Sequence, residues 1–320
     1  MIKFRAVRSS LPGIIFFIAI AFSSQAQNPA NQQANADQAR QTINNVPPQL
    51  QQQPLQLGVN VGQAVPTPGD LDLGIQMILK KREAEQPFRL FADVAEFYTN
   101  NVALTRSGKQ GDNYFFADVG CTYTRKLTED LTFETTLLQG FFRYSKFAST
   151  YDFEDFNVGG GLTYDWKKLW NLSFFGRYNF ERFTQGNINS DFYSGHSFTF
   201  GAQKTFTFNG GNYIYVGYST DLGLAFPTST QRDENGFYGG VHYNFTSKFS
   251  GDLSYRITVF NYTEGRTDLN QTTVATLAYT FNDHCKLTGS LSYASDISSQ
   301  SAYNYDLVNT GGGLALQIKF

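Results

Sequence analysis

The sequence predicts an all-β fold, a transmembrane antiparallel up-and-down β-barrel of about 12 strands. Three observations predict it. From Pro87 to the C-terminus, segments of about ten residues alternate apolar with polar or small side chains. Aromatic residues make up 16% of the chain, with Phe 31 and Tyr 19, while only 16% is charged, a blend foreign to most soluble enzymes. Between the segments, short polar gaps take turns with long ones, as the two rims of such a barrel require.

The chain opens with Lys3, Arg5 and Arg8, followed by an apolar stretch from Leu11 to Phe22 and the small residues Ser24 and Ala26 before Gln27. That is the layout of a secretory signal peptide, residues 1–26, with cleavage expected after Ala26. The stretch is shorter than the roughly 20 apolar residues of a spanning helix, and no later window approaches one. Residues 27–87 form a low-complexity arm rich in Gln, Asn, Pro and Ala, expected to be disordered and periplasmic. Within it, Leu71, Ile75, Ile78 and Leu79 sit at helical spacing, with acids early and Lys80, Lys81 and Arg82 late, so a short helix over 70–84 is expected.

From 88 to 320 the period changes to two. The expected strands are 88–99, 113–126, 131–144, 154–167, 171–183, 192–206, 211–221, 235–246, 249–262, 271–282, 285–294 and 306–320. In the second, Phe115, Ala117, Val119, Cys121 and Tyr123 share one face, against Phe116, Asp118, Gly120 and Thr122. The fourth repeats the pattern, with Phe156, Val158, Leu162, Tyr164 and Trp166 facing outward. Short gaps at KLTED, KLWN, FNGG, TSK and ND are expected to be periplasmic turns. Long gaps at 100–112, 145–153, 184–191, 222–234, 263–270 and 295–305 are expected outside the cell. An even strand number lets the last strand pair with the first, which removes the edges that a bilayer cannot solvate. A soluble sandwich or lipocalin-like barrel would alternate too, but its apolar outer face would meet water around the whole circumference. Tyr123, Tyr164, Trp166, Trp170, Tyr243 and Phe281 near strand ends read as an interfacial girdle.

The terminal stretch GGLALQIKF carries Leu314, Leu316 and Ile318 at alternate positions and ends in Phe320. It resembles the C-terminal β-signal of Gram-negative outer-membrane proteins, and FADVAEFYTNNVALT resembles the opening of porin-type barrels. The resemblance implies residence in the outer membrane, delivery by periplasmic chaperones and insertion by the barrel-assembly machinery. Outer-membrane lipid and lipopolysaccharide would then be its surroundings, and small solutes its cargo.

Three functions stay open. The first is a pore, because the expected inner face carries Asp93, Asp118, Glu134, Arg177, Glu181, His242, Asp252 and Arg256, and charges facing a lumen tune what passes. Glu181 or Asp252 opposed to Arg177 or Arg256 would set a field across a narrow channel; alternatively these groups pair and fill it. The second is a membrane-embedded enzyme such as a phospholipase. Only His196, His242 and His284 could serve as the base; parity puts His196 outward and His284 in a turn, so no triad is indicated. The third is a structural or autotransporter-like secretion barrel. No cofactor is implied, and no metal-ligand spacing appears. Net charge −2 removes the electrostatic case for nucleic acid. Cys121 and Cys285 fall on strands two and eleven, with strands twelve and one between them, beyond the roughly 7 Å that a disulfide spans, so two free thiols are expected.

Overall fold

A computed structural model describes residues 86–320 apart from Asn171 and 186–190. The expected signal peptide, the arm as far as residue 85 and the helix at 70–84 lie outside the described residues. Twelve strands follow one another: β1 (Phe88–Thr99), β2 (Asp112–Lys126), β3 (Leu131–Tyr144), β4 (Phe153–Trp166), β5 (Leu172–Thr184) and β6 (Asp191–Phe208). The second half comprises β7 (Asn212–Phe226), β8 (Arg232–Asn244), β9 (Phe249–Tyr262), β10 (Thr267–Asn282), β11 (Cys285–Ser298) and β12 (Tyr305–Lys319). Each pairs antiparallel with its neighbour in sequence, and β12 pairs with β1 to close the barrel.

Closure satisfies the backbone at the seam. The Phe88 and Phe320 amides donate to each other's carbonyls at 3.1 and 3.0 Å, and the two rings stack with centroids 5.7 Å apart. Leu314, Leu316 and Ile318 lie on the outer face of β12 opposite Val94, Ala92 and Leu90 of β1, so the terminal alternation becomes part of the lipid-facing seam.

Side chains sort by parity. On β1, Leu90, Val94 and Tyr98 point outward and are more than 40% exposed, while Ala95, Phe97 and Thr99 point inward and are buried. The register carries this division around the ring without a slip that would exchange the faces. Cys121 and Cys285 both lie on the outer face and are free. The short turns reuse one device: Thr128 Oγ1 accepts from the Leu131 amide at 3.0 Å, and Thr246 Oγ1 accepts from the Phe249 amide at 3.0 Å. The three-residue turn Asn209–Gly211 places Gly210 and Gly211 at φ 78 and 75, a backbone region that glycine enters without a Cβ penalty.

Strand bounds differ from the sequence reading mainly at the long-loop rim. β7 runs five residues further than expected, to Phe226, because its inner positions there are Gly223 and Ala225 and the polar half of the alternation disappears. β10 starts four residues earlier, at Thr267, and β11 ends four later, at Ser298; the added stretch pairs Leu269 with Ile297 on the outer face among otherwise polar residues, too short an alternation to read as strand. The connections 222–234, 263–270 and 295–305 therefore shrink to 227–231, 263–266 and 299–304. The contrast between the rims lies partly in protruding strands rather than in irregular loops.

Candidate functional site: the inner wall and its long-loop rim

The eight charged residues singled out from the sequence all occupy inner positions, but their partners are local. Arg177 of β5 lies 3.7 Å from Glu134 of β3, reaching across β4. Arg256 Nη2 meets Glu234 at 3.2 Å, and Arg232 Nη2 meets the same carboxylate at 2.7 Å. His242 Nδ1 is 2.7 Å from Asp252, its Nε2 is 3.2 Å from Asn244 Oδ1, and the Tyr213 ring stacks on it at 4.8 Å. Asp93 and Asp118 sit directly opposite each other on β1 and β2, with the Asp93 amide donating to Asp118 Oδ1 at 3.2 Å. Glu181 is buried on the inner face of β5. The expectation that Glu181 or Asp252 would oppose Arg177 or Arg256 across the lumen is thus replaced by pairing along the wall.

Sequence reasoning missed Arg232 and Glu234 because 222–234 read as a loop; they belong to β8. It also passed over Arg89, Asp155, Asp221, Lys286, Asp296 and Lys319, all at inner positions by register. Five of them lie within the expected strands, where parity alone assigns the inner face; only Asp296 lies beyond an expected bound, that of β11. His196 faces outward and bonds the Tyr178 hydroxyl at 2.8 Å, and His284 lies in the turn between β10 and β11. Both nitrogens of His242 are engaged by Asp252 and Asn244, so the His–Asp pair presents no nitrogen to a serine hydroxyl.

The long-loop rim is packed rather than open. On the β1–β5 side, Phe116, Phe142, Phe153 and Phe183 point inward and are at most 2% exposed; successive ring centroids lie 4.8, 4.2 and 5.4 Å apart. The loop 100–111 folds in over this cluster: Val102 joins it, while Leu104 packs on Ala294 of β11 and Leu307 of β12, on the other side of β1 from the cluster. Asn101, fully buried, holds the loop in place. Its Nδ2 donates to the carbonyls of Thr105 at 2.7 Å and Asp306 at 2.9 Å, and its Oδ1 accepts from the Thr105 amide at 3.0 Å. Asn100 Oδ1 accepts from the Val308 amide at 2.8 Å, and Lys109 pairs with Asp306 at 2.5 Å. Between β9 and β12, Arg266 is sandwiched by Tyr262 at 3.6 Å and Tyr303 at 3.8 Å. Below this rim the wall loosens, and Asp93, Glu134, Arg177, Asp221, His242 and Asp252 are half-buried.

A closed ring of strands, an apolar outer face and a charged inner wall define an outer-membrane β-barrel. Its fold resembles that of an outer membrane channel from Pseudomonas putida F1, over 73% of this chain and 96% of that one, with a TM-score of 0.51 at 10% identity. Weaker likenesses reach the KdgM porin (TM-score 0.40, 8% identity, 71% and 98% of the two chains) and the translocator domain of autotransporter NalP from Neisseria meningitidis (0.42, 11%, 73% and 90%). The likeness is one of fold. No protein family matches the sequence, and no curated protein does.

Proposed function

We propose that this barrel is a passive, narrow, porin-like channel for ions or small solutes, with its short turns toward the periplasm and residues 27–87 forming a periplasmic arm. One observation carries the reading: below the packed rim the inner wall is charged and only half-buried on strands around the ring, from Asp93 on β1 through Glu134 and Arg177 to Asp221, His242 and Asp252. A wall meant to be filled would bury such groups or replace them with apolar ones, because taking a charge out of water costs on the order of several kcal/mol. The in-folded loop 100–111 supplies the constriction, since Val102 packs into the aromatic cluster and Leu104 against β11 and β12 at the mouth. Barrels of about eight strands are filled by side chains and those of 16 to 18 leave a wide channel, so twelve fit a narrow path.

A second reading, a filled structural barrel, draws support from the dry aromatic layer at the same rim. Single-channel recording of the purified, refolded full chain in a planar bilayer separates the two. Discrete conductance steps support a channel. Silence from protein shown to be folded by its heat-modifiable mobility favours the structural barrel.

A further inference from the structure

The inner wall has a sign that the whole chain hides. The formal net charge is only −2, but bases such as Arg125, Lys168 and Lys248 are exposed at the short-turn rim, and Lys126 ends the inner row of β2 there. Inside, followed strand by strand through the register, carboxylates dominate the long-loop half: Asp112, Asp155, Glu181, Asp268 and Asp296 occupy inner positions there. Of the bases of that half, Arg266 meets Asp268 at 3.0 Å, while Arg232 shares the one carboxylate of Glu234 with Arg256. Midway down, Asp93 and Asp118 face each other, and Lys286 is the base of the adjoining wall, opposite Ala315, which in turn lies opposite Asp93. Arg177 and Arg256 are held by Glu134 and Glu234. Arg89 and Lys319 collect at the short-turn end, where they are direct cross-strand partners.

We propose that the lumen conducts cations in preference to anions, with the Asp93–Asp118 pair as the main determinant at mid-wall and the Arg89–Lys319 pair as a weaker opposing barrier at the short-turn end. The proposal rests on the channel reading above. Its physical basis is that fixed charges along a narrow path bounded by low-dielectric walls focus the field and concentrate the counter-ion within the path. The mid-wall carboxylates matter most because the half-buried Asp93 faces the loosened part of the wall, while Asp118, 4% exposed, lies directly opposite it and adds its charge from behind.

The test is the reversal potential of the refolded full chain in a planar bilayer under a KCl gradient, for four proteins: the wild type, D93N with D118N, R89Q with K319Q, and E96Q. Glu96 is exposed on the outer face of β1 and serves as the charge change that should do nothing. The wild type should reverse on the potassium side of zero. D93N/D118N should move the reversal toward zero, R89Q/K319Q should move it further toward potassium, and E96Q should leave it in place. Opposite shifts from two neutralising pairs cannot come from a general loosening of the barrel. A conducting wild type that reverses at zero or on the chloride side overturns the cation preference and leaves the channel intact. Shifts of the same sign in both pairs overturn the assignment to these residues. Folded protein that never conducts overturns the channel reading and the preference with it.

Discussion

Arg177 on β5 and Glu134 on β3 form an ion pair at 3.7 Å although a whole strand lies between them, and Gly161 on β4 is what lets them meet. Glu134, Gly161 and Arg177 share one inner row of the register. A Cβ at Gly161 would lie 2.6 Å from Arg177 Cγ and 2.6 Å from the Gly176 carbonyl oxygen, so the arginine stem occupies the space that a side chain would need. The same arrangement recurs where the Phe175 ring covers Gly201 and the Tyr238 ring covers Gly217.

Gly161→Val should therefore break the Glu134–Arg177 pair and strain the β4–β5 ladder. Overpacking of this kind costs ~1–3 kcal/mol. Urea unfolding of the barrel in lipid vesicles should show that loss. R177M, which keeps the stem and removes the charge, should alter ion preference while costing less stability, and equal losses from the two variants would contradict the account.

Loop 100–111 is held inward chiefly by the buried Asn101 amide. Asn101→Ala leaves the Thr105 and Asp306 carbonyls without their donor, a change that costs ~1–3 kcal/mol at a buried site. The expected result is faster proteolysis between residues 100 and 111 and a larger single-channel conductance. Unchanged conductance in a protein whose loop has become protease-sensitive would show that the loop is not the constriction.

Val119 sits on the outer face of β2 and is 54% exposed, while Asn179 is half-buried on the inner face of β5. An arginine at the lipid-facing position of a barrel strand near the bilayer centre costs ~2–4 kcal/mol. Val119→Arg should lower stability in lipid by that amount, whereas Asn179→Arg should cost far less and act on conductance instead. Comparable losses from the two would contradict the assignment of faces.

Cys121 and Cys285 are both unpaired and both on the outer face, but at different depths: Cys121 lies opposite Leu90 and Leu137 within the apolar band, and Cys285 opens β11 beside the turn 283–284. In vesicles, a water-soluble maleimide should label Cys285 much faster than Cys121. Unfolding should make both react without reductant. No reactive thiol after unfolding, with two restored by reductant, would mean that the two are bridged.

Period-two alternation gave the strand number and the faces directly: one bilayer-facing side chain at every second residue can be read without any partner strand. The bounds of β1, β3 and β9 were legible to the residue, because each ends where a polar turn interrupts a clear alternation. β7 and β10 were not, since Gly223 and Ala225 hide the polar half of one, and the first four residues of the other, TDLN, hold a single apolar side chain at Leu269. That the eight candidate charges occupy inner positions was legible in the same way.

Which of them touch was decided by tertiary structure alone. Parity assigns a face but not a height, and the height of one strand against the next is set by hydrogen-bond register through the turns and protruding hairpins. Only that register sets Glu134 level with Arg177 across a glycine, places Asp93 opposite Asp118, and recruits Glu234 between Arg232 and Arg256. Only the closed ring brings β12 beside β1, so that Asn101 can reach the Asp306 carbonyl from 205 residues away and fold the first loop into the mouth. The sequence by itself determined a barrel with a charged interior; the stagger of its strands decided which of those charges meet.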